Sequence, residues 1–123
     1  MKLTDILKNL NNKVKISKPW GHEIIWSDSS KYIGKLIYIK ENESLSFQYH
    51  NFKEETIYIL KGNLRLIVGA EKNELILKSG DSFKINPKLK HMFSSFEGEV
   101  TLIEVSSHFP DDVVRLEDKY GRI

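Results

Sequence analysis

The chain is predicted to be all-β, folded as one antiparallel sandwich or barrel. Three observations point there. About nine short runs alternate apolar and polar residues at the period of a strand, and turn signals rich in Gly, Asn, Asp and Ser separate them roughly every eight to twelve residues. Only one stretch, near the N-terminus, carries a helical spacing. With 123 residues the chain is long enough to bury a core of ordinary size in one domain.

Taken in order, Thr4–Leu10 reads as a short helix, with Thr4 as its N-cap and Leu3, Ile6, Leu7 and Leu10 on one stripe; Asn11 and Asn12 end it. Residues 1–17 are this helix and a lead-in, 18–108 the barrel and 109–123 a charged tail. Lys18-Pro19-Trp20-Gly21 is a turn or extended lead-in, because proline fixes φ and glycine allows close approach. His22–Trp26 and Tyr32–Lys40 read as strands split by the polar turn Ser27–Lys31, and Ser44–His50 and Glu55–Leu60 follow. Lys61-Gly62-Asn63 reads as a hairpin turn into Leu64–Val68, and Gly69–Asn73 as the turn into Glu74–Leu77. Ser79-Gly80-Asp81 turns again before Phe83 and Ile85, and Asn86-Pro87 breaks that run. Lys90–Phe96 and Glu99–Ser106 close the set, joined at Glu97-Gly98, and the tail DDVVRLEDKYGRI has room for one helical turn.

Composition removes several classes of function. Lys and Arg number 19 against 17 Asp and Glu, which argues against a nucleic-acid partner, since such proteins concentrate basic charge on one face. The lysines at 2, 8, 13, 15 and 18 read as a solvated surface. Cysteine is absent, so disulfides, thiolate metal sites and a Cys nucleophile are excluded. No apolar run approaches the ~18 residues of a membrane span, and MKLTDILKNL lacks a signal peptide's apolar core, so a cytoplasmic protein without a membrane partner is expected.

The polar residues of one stretch are harder to explain as structure. Gln48 and His50 are two apart, so on a strand both leave the same face, together with Ser44 and Ser46, while Leu45, Phe47 and Tyr49 share the other. Four residues separate His50 from Glu55, enough for a tight connection into a second strand on which Glu55, Ile57 and Ile59 share a face. Glu54 competes with Glu55, but Glu55 has the phase of the isoleucines. On a later strand His91, Phe93 and Ser95 share a face. Gln48, His50, Glu55 and His91 together form a candidate cage for one divalent transition metal. Such a set carries one negative charge, so a 2+ ion would keep a net +1 and remain a Lewis acid. His22 and His108 read as surface or hydrogen-bonded histidines. Glu104, a polar residue inside the apolar run Val100–Val105, is a candidate general base; the other reading is an outward-facing strand residue.

The spacing of Gln48, His50, Glu55 and Gly62, then of Gly80 and His91, matches the two cupin motifs, with Gln in the first ligand position as in one branch. Lys18-Pro19-Trp20-Gly21 is similar to that branch's Arg-Pro-Trp-Gly, and Asp112-Val113-Val114-Arg115 with Glu117-Asp118-Lys119-Tyr120-Gly121-Arg122 resembles its C-terminal signature. From about Lys18 to Arg122 the chain thus resembles the cupins, and within them the type II mannose-6-phosphate isomerases, whose isomerase domain often follows a mannose-1-phosphate guanylyltransferase in one bifunctional chain. Lys18 and Lys53 stand where the family tends to have Arg, Ile57 where Trp is usual, and Asn42 where the motif has Gly; Asn enters positive φ more easily than most residues.

The resemblance implies a cupin barrel, that is a double-stranded β-helix or jelly roll, and a sugar-phosphate aldose–ketose isomerase. The interconversion of mannose 6-phosphate and fructose 6-phosphate through an enediol comes first, in the service of sugar-nucleotide or polysaccharide synthesis. It implies one divalent cation, zinc before manganese, iron, cobalt or nickel. Lys35, matched to a family Lys, holds substrate or lies on the surface; Arg115 and Arg122 bind phosphate or form tail salt bridges with Asp112 or Asp118. The implied partner is a small-molecule sugar phosphate, and a homodimer is expected because open jelly-roll sheets often cover their edges against a second copy. A non-catalytic sugar-binding cupin and a 2-His-1-carboxylate Fe(II) dioxygenase built on His50, His91 and Glu55 are the alternatives.

Overall fold

Nine strands follow one short helix in the computed structural model, which describes residues Met1–Ile123. The elements are α1 (Leu3–Leu7), β1 (Val14–Lys18), β2 (Gly21–Asp28), β3 (Tyr32–Ile39), β4 (Phe47–Tyr49), β5 (Glu55–Val68), β6 (Asn73–Leu77), β7 (Ser82–Ile85), β8 (His91–Ser107) and β9 (Val114–Glu117). All pairings are antiparallel. Two strands, β5 and β8, are long and serve both leaves of the barrel. The second half of β8 pairs with β3 and with the first half of β5, and β2, β1 and β7 extend that leaf. The first half of β8 pairs with β4 and with the second half of β5, and β9 and β6 extend the other.

The count of nine agrees with the expectation, but not strand for strand. Lys61-Gly62-Asn63 and Glu97-Gly98, expected as hairpin turns, are bends inside β5 and β8. Gly62 has φ +83°, and a Cβ there would lie 2.2 Å from the Glu99 carbonyl oxygen, so only glycine lets the two bends cross so closely. Glu97 and Gly98 also take positive φ, and the β5–β8 register shifts around Lys61, so pairing resumes beyond the bend instead of the chain reversing. Two strands were not anticipated. β1 is an edge strand whose lysines masked its alternation. The tail forms β9, not a helical turn, because it pairs the otherwise open edge of the three-residue β4.

The helix is also shorter than expected. Lys2, not Thr4, occupies the N-cap position, with no side-chain cap, and Leu3, Ile6, Leu7 and Leu10 are exposed. A helix this short has little intrinsic stability when its stripe packs on nothing. Asn42, in the place of the motif glycine, takes φ +59° as expected.

The core cluster of 11 side chains, including Trp20, Ile37, Ile57, Ile59, Phe93 and Leu102, fills the space between the leaves. Along β5 the inward residues run Glu55, Ile57, Ile59, and along β8 they run Glu104, Leu102, Val100; all six are buried. The interior therefore changes from polar to apolar within two residues of each carboxylate, and the polar end is the site.

Candidate metal centre and its cavity

Three strand ends bring the site together. His50 follows β4, Glu55 opens β5 and His91 opens β8. One ligand atom from each lies within 4.8 Å of the others, and the three residues are buried. His91 Nε2 is 3.1 Å and His50 Nε2 3.4 Å from Glu55 Oε1. Gln48 stands opposite His91 in the β4–β8 register and lines the same cavity as His50 and Glu55.

The other ring nitrogens explain what these atoms offer. His50 Nδ1 lies 2.6 Å from the Asp112 carbonyl oxygen, and His91 Nδ1 2.8 Å from that of Leu89. A carbonyl only accepts, so each Nδ1 carries a proton and donates it, which turns the Nε2 edge of each ring toward Glu55. Both Nε2 atoms and Glu55 Oε2 are buried without a hydrogen-bond partner. Unsatisfied buried groups cost roughly 1–3 kcal/mol each, and a cation among them removes that cost. The two imidazole nitrogens and the carboxylate, with Gln48 lining the same cavity, suit a divalent transition metal.

Around this trio lies a cavity of about 170 Å³. Lys35, Gln48, His50, Glu55, Glu104, Arg115 and Arg122 line it, while His91 sits fully buried behind Glu55. Glu104 is buried, so its inward reading holds and the outward one fails. Lys35 Nζ lies 3.5 Å from Glu23 Oε1, and Lys35 stands opposite Glu104 in the β3–β8 register. Arg122 is engaged by Asp118 through two bonds of 2.8 and 2.9 Å. Arg115 has no carboxylate partner, and its Nε is buried and unsatisfied.

Ser44 corrects the expected polar face. It does not line this cavity, whereas Leu45 and Ser46 do. Regular alternation fails there because β4 covers only Phe47–Tyr49, with a register shift after Phe47. His22 packs on Tyr38 with ring centroids 5.0 Å apart, and His108 Nε2 lies 3.3 Å from Asp28; neither joins the cavity. Glu54 is exposed and paired with Lys84 at 3.2 Å, which leaves Glu55 inside.

Sequence reasoning missed Lys53, Glu23 and Asp112 as lining residues. Lys53 is buried with its Nζ 3.5 Å from Glu55 Oε2 and 3.7 Å from Glu104 Oε2. Its phase, two residues before Glu55, was a usable signal. Glu23 lies inside the apolar strand GHEIIW, the same pattern that singled out Glu104.

Burial and mutual charge set the ionisation states. Burial alone would raise the Glu55 carboxyl, but the two imidazoles, Glu104 and Lys53 outweigh it and hold Glu55 well below the usual range. Burial, reinforced by the Glu55 charge and opposed by Lys53, pushes Glu104 up to about 8. Burial works against a charged Lys53, yet Glu104 and Glu55 together raise it. The cavity thus holds a carboxylate, an ammonium and a carboxylic acid side by side, the separation of states that acid–base chemistry requires.

A family model described as "Mannose-6-phosphate isomerase C-terminal" matches residues 6–118. The chain belongs to that family. Relatives of this chain include the mannose-1-phosphate guanylyltransferase ManC of Salmonella typhimurium, 32% identical over 113 residues, covering 88% of this chain and 23% of that protein. The xanthan biosynthesis protein XanB of Xanthomonas campestris is 31% identical over 113 residues, covering 88% and 24% respectively. The domain spans about a quarter of the length of the curated relatives it matches. Among solved structures, an RmlC-like cupin from Shewanella frigidimarina superposes with TM-score 0.70 at 15% identity, covering 80% of this chain and 86% of that one. The capsular polysaccharide assembling protein CapF of Staphylococcus aureus gives 0.75 at 11%, covering 86% and 34%. These likenesses show the cupin fold.

Proposed function

We propose that this chain is a metal-dependent aldose–ketose isomerase of a sugar phosphate, with mannose 6-phosphate and fructose 6-phosphate as the first pair to test, acting in sugar-nucleotide or polysaccharide synthesis. The observation that carries the reading is the convergence of two buried Nε2 atoms, neither with a hydrogen-bond partner, on the Glu55 carboxylate, at a cavity that also holds the buried carboxyl of Glu104.

Gln48, His50, Glu55 and His91 would hold the metal. When bound, a divalent cation, zinc before manganese, iron, cobalt or nickel, supplies Lewis acidity toward the negative charge that develops on the sugar oxygens as a proton leaves carbon. Glu104, facing the same cavity, acts in its ionised form, which a cation bound beside Glu55 would favour; it takes that proton from one carbon and returns it to its neighbour. Lys53 keeps the charge of Glu55 and Glu104 balanced between them. Lys35 holds a sugar hydroxyl. Arg115, free of any carboxylate, presents its guanidinium to the phosphate, a geometry suited to two parallel bonds. Arg122, tied to Asp118, shapes the wall.

A sugar-binding role without turnover is favoured by Lys18 and Lys53, which line this cavity where the family tends to have Arg. The buried His50–Glu55–His91 trio is by itself the ligand type of an Fe(II) oxygenase. The reading includes a homodimer, supported by Tyr58, Leu60 and Val105 exposed on the outer face of β5 and β8; a monomer in sedimentation equilibrium removes that part.

The deciding experiment is a coupled isomerase assay across a panel of sugar phosphates on metal-loaded and chelated protein. Turnover that needs metal is expected. Equal rates in both states overturn metal catalysis, sugar-phosphate binding without turnover selects the binding role, and oxygen uptake with iron selects the oxygenase.

A further inference from the structure

Three of the four residues between His50 and Glu55 are held by a single residue of the tail, and the fourth, Glu54, donates its N–H to Ser107 Oγ at 3.0 Å. Asp112 Oδ1 accepts the main-chain N–H of Asn51 at 3.0 Å, and its Oδ2 accepts those of Phe52 at 2.7 Å and Lys53 at 2.9 Å. The carbonyl of the same residue accepts from His50 Nδ1. Four consecutive residues thus donate to one residue some sixty positions away, at the point where the tail turns into β9 beside β4. The two histidines are not supported alike. His91 takes its ring direction from Leu89, two residues before it, so its support is local. His50 takes its own from the far end of the chain.

We propose that Asp112 is a positioning residue of the metal centre. Its carbonyl fixes the tautomer and direction of the His50 ring, and its carboxylate fixes the path of the connector, and so the spacing between His50 and Glu55. Docking of the C-terminal strand and metal binding then stabilise one another, because each is favoured by the same four hydrogen bonds. This inference rests on the metal reading above. The tail signature belongs to the metal centre as well as to the cavity wall, and a chain that loses its tail would keep His91 aimed while His50 loses its aim.

The test is zinc affinity by competition with a chromophoric chelator, together with the visible absorption of the Co²⁺-loaded protein. Three proteins are compared: the unaltered chain, Asp112→Ala, and Glu117→Gln, which breaks the 2.6 Å Lys72–Glu117 ion pair on β9 without touching His50. Asp112→Ala is expected to weaken zinc about 10–100-fold and to change the Co²⁺ spectrum, and Glu117→Gln to do neither. Unchanged affinity in folded Asp112→Ala overturns the proposal, as does an equal loss in Glu117→Gln. Should Asp112→Ala fail to fold, hydrogen exchange on the unaltered chain decides: zinc must slow the Asn51, Phe52 and Lys53 amides more than those of β6, and no such difference overturns the proposal. An unaltered chain that takes up no stoichiometric metal overturns the metal reading and this inference together.

Discussion

Glu55 and Glu104 share Lys53 and one cavity, yet occupy opposite charge states, and that contrast defines the roles to test at single residues. Glu104→Gln keeps the shape of the site and removes its exchangeable carboxyl. Isomerase turnover is expected to fall about 10²–10⁴-fold while zinc stoichiometry, read by atomic absorption, stays at one per chain or nearly so. His91→Ala removes a ligand from a fully buried position. It is expected to abolish stoichiometric metal while far-ultraviolet dichroism keeps the strand signature; retained metal contradicts the ligand set. Arg115→Ala and Arg122→Ala separate the two tail guanidiniums. The first is expected to raise KM for phosphorylated sugars, and the second to act on stability, since Arg122 already spends its fork on Asp118.

Among the elements, the two bent strands decide the architecture. β5 and β8 each cross from one leaf to the other, and they cross where Gly62 faces the Glu99 carbonyl. Gly62→Ala and Gly80→Ala both place a side chain at positive φ, but only the first also meets backbone, since nothing lies within 4 Å of a Cβ at Gly80. Positive φ at a non-glycine residue costs about 1–3 kcal/mol. The expectation is a loss of that order in Gly80→Ala and a larger one in Gly62→Ala, compared by urea midpoints. Equal losses would mean that the strand crossing relaxes freely.

For the molecule as a whole, the tail carries an acid-sensitive contribution to stability. The Arg122 guanidinium holds the Asp118 carboxyl down at about 2, and the main-chain N–H groups of Phe52, Asn51 and Lys53 hold Asp112 below the usual range. Both folded values lie below the unfolded carboxyl value of about 3.9, so the unfolded chain binds protons first as pH falls. Their contribution to stability is complete above that value and is lost as pH drops toward about 2. Asp118→Asn is therefore expected to lower stability near neutrality, where the contribution is complete, and to converge with the unaltered chain as pH drops toward about 2, which flattens the acid slope. An unaltered acid slope in this variant would remove the ion pair from the account.

What could be read from the chain was whatever depends on local period and spacing. Alternation placed Glu55, Ile57 and Ile59 on one buried face and His91 with Phe93 on another, and the spacing of His50, Glu55 and His91 named three residues whose ligand atoms converge. Those are properties of a strand's two-residue repeat, which any buried sheet obeys. The tertiary structure decided the rest. Whether Gly62 reverses the chain or bends it depends on a strand almost forty residues later. That Lys53 lies between two carboxylates, and that Asp112 steers His50, are contacts across the fold that no local pattern encodes. The charge states of Glu55 and Glu104 follow from desolvation and neighbouring charge, which exist only once the leaves have closed around them.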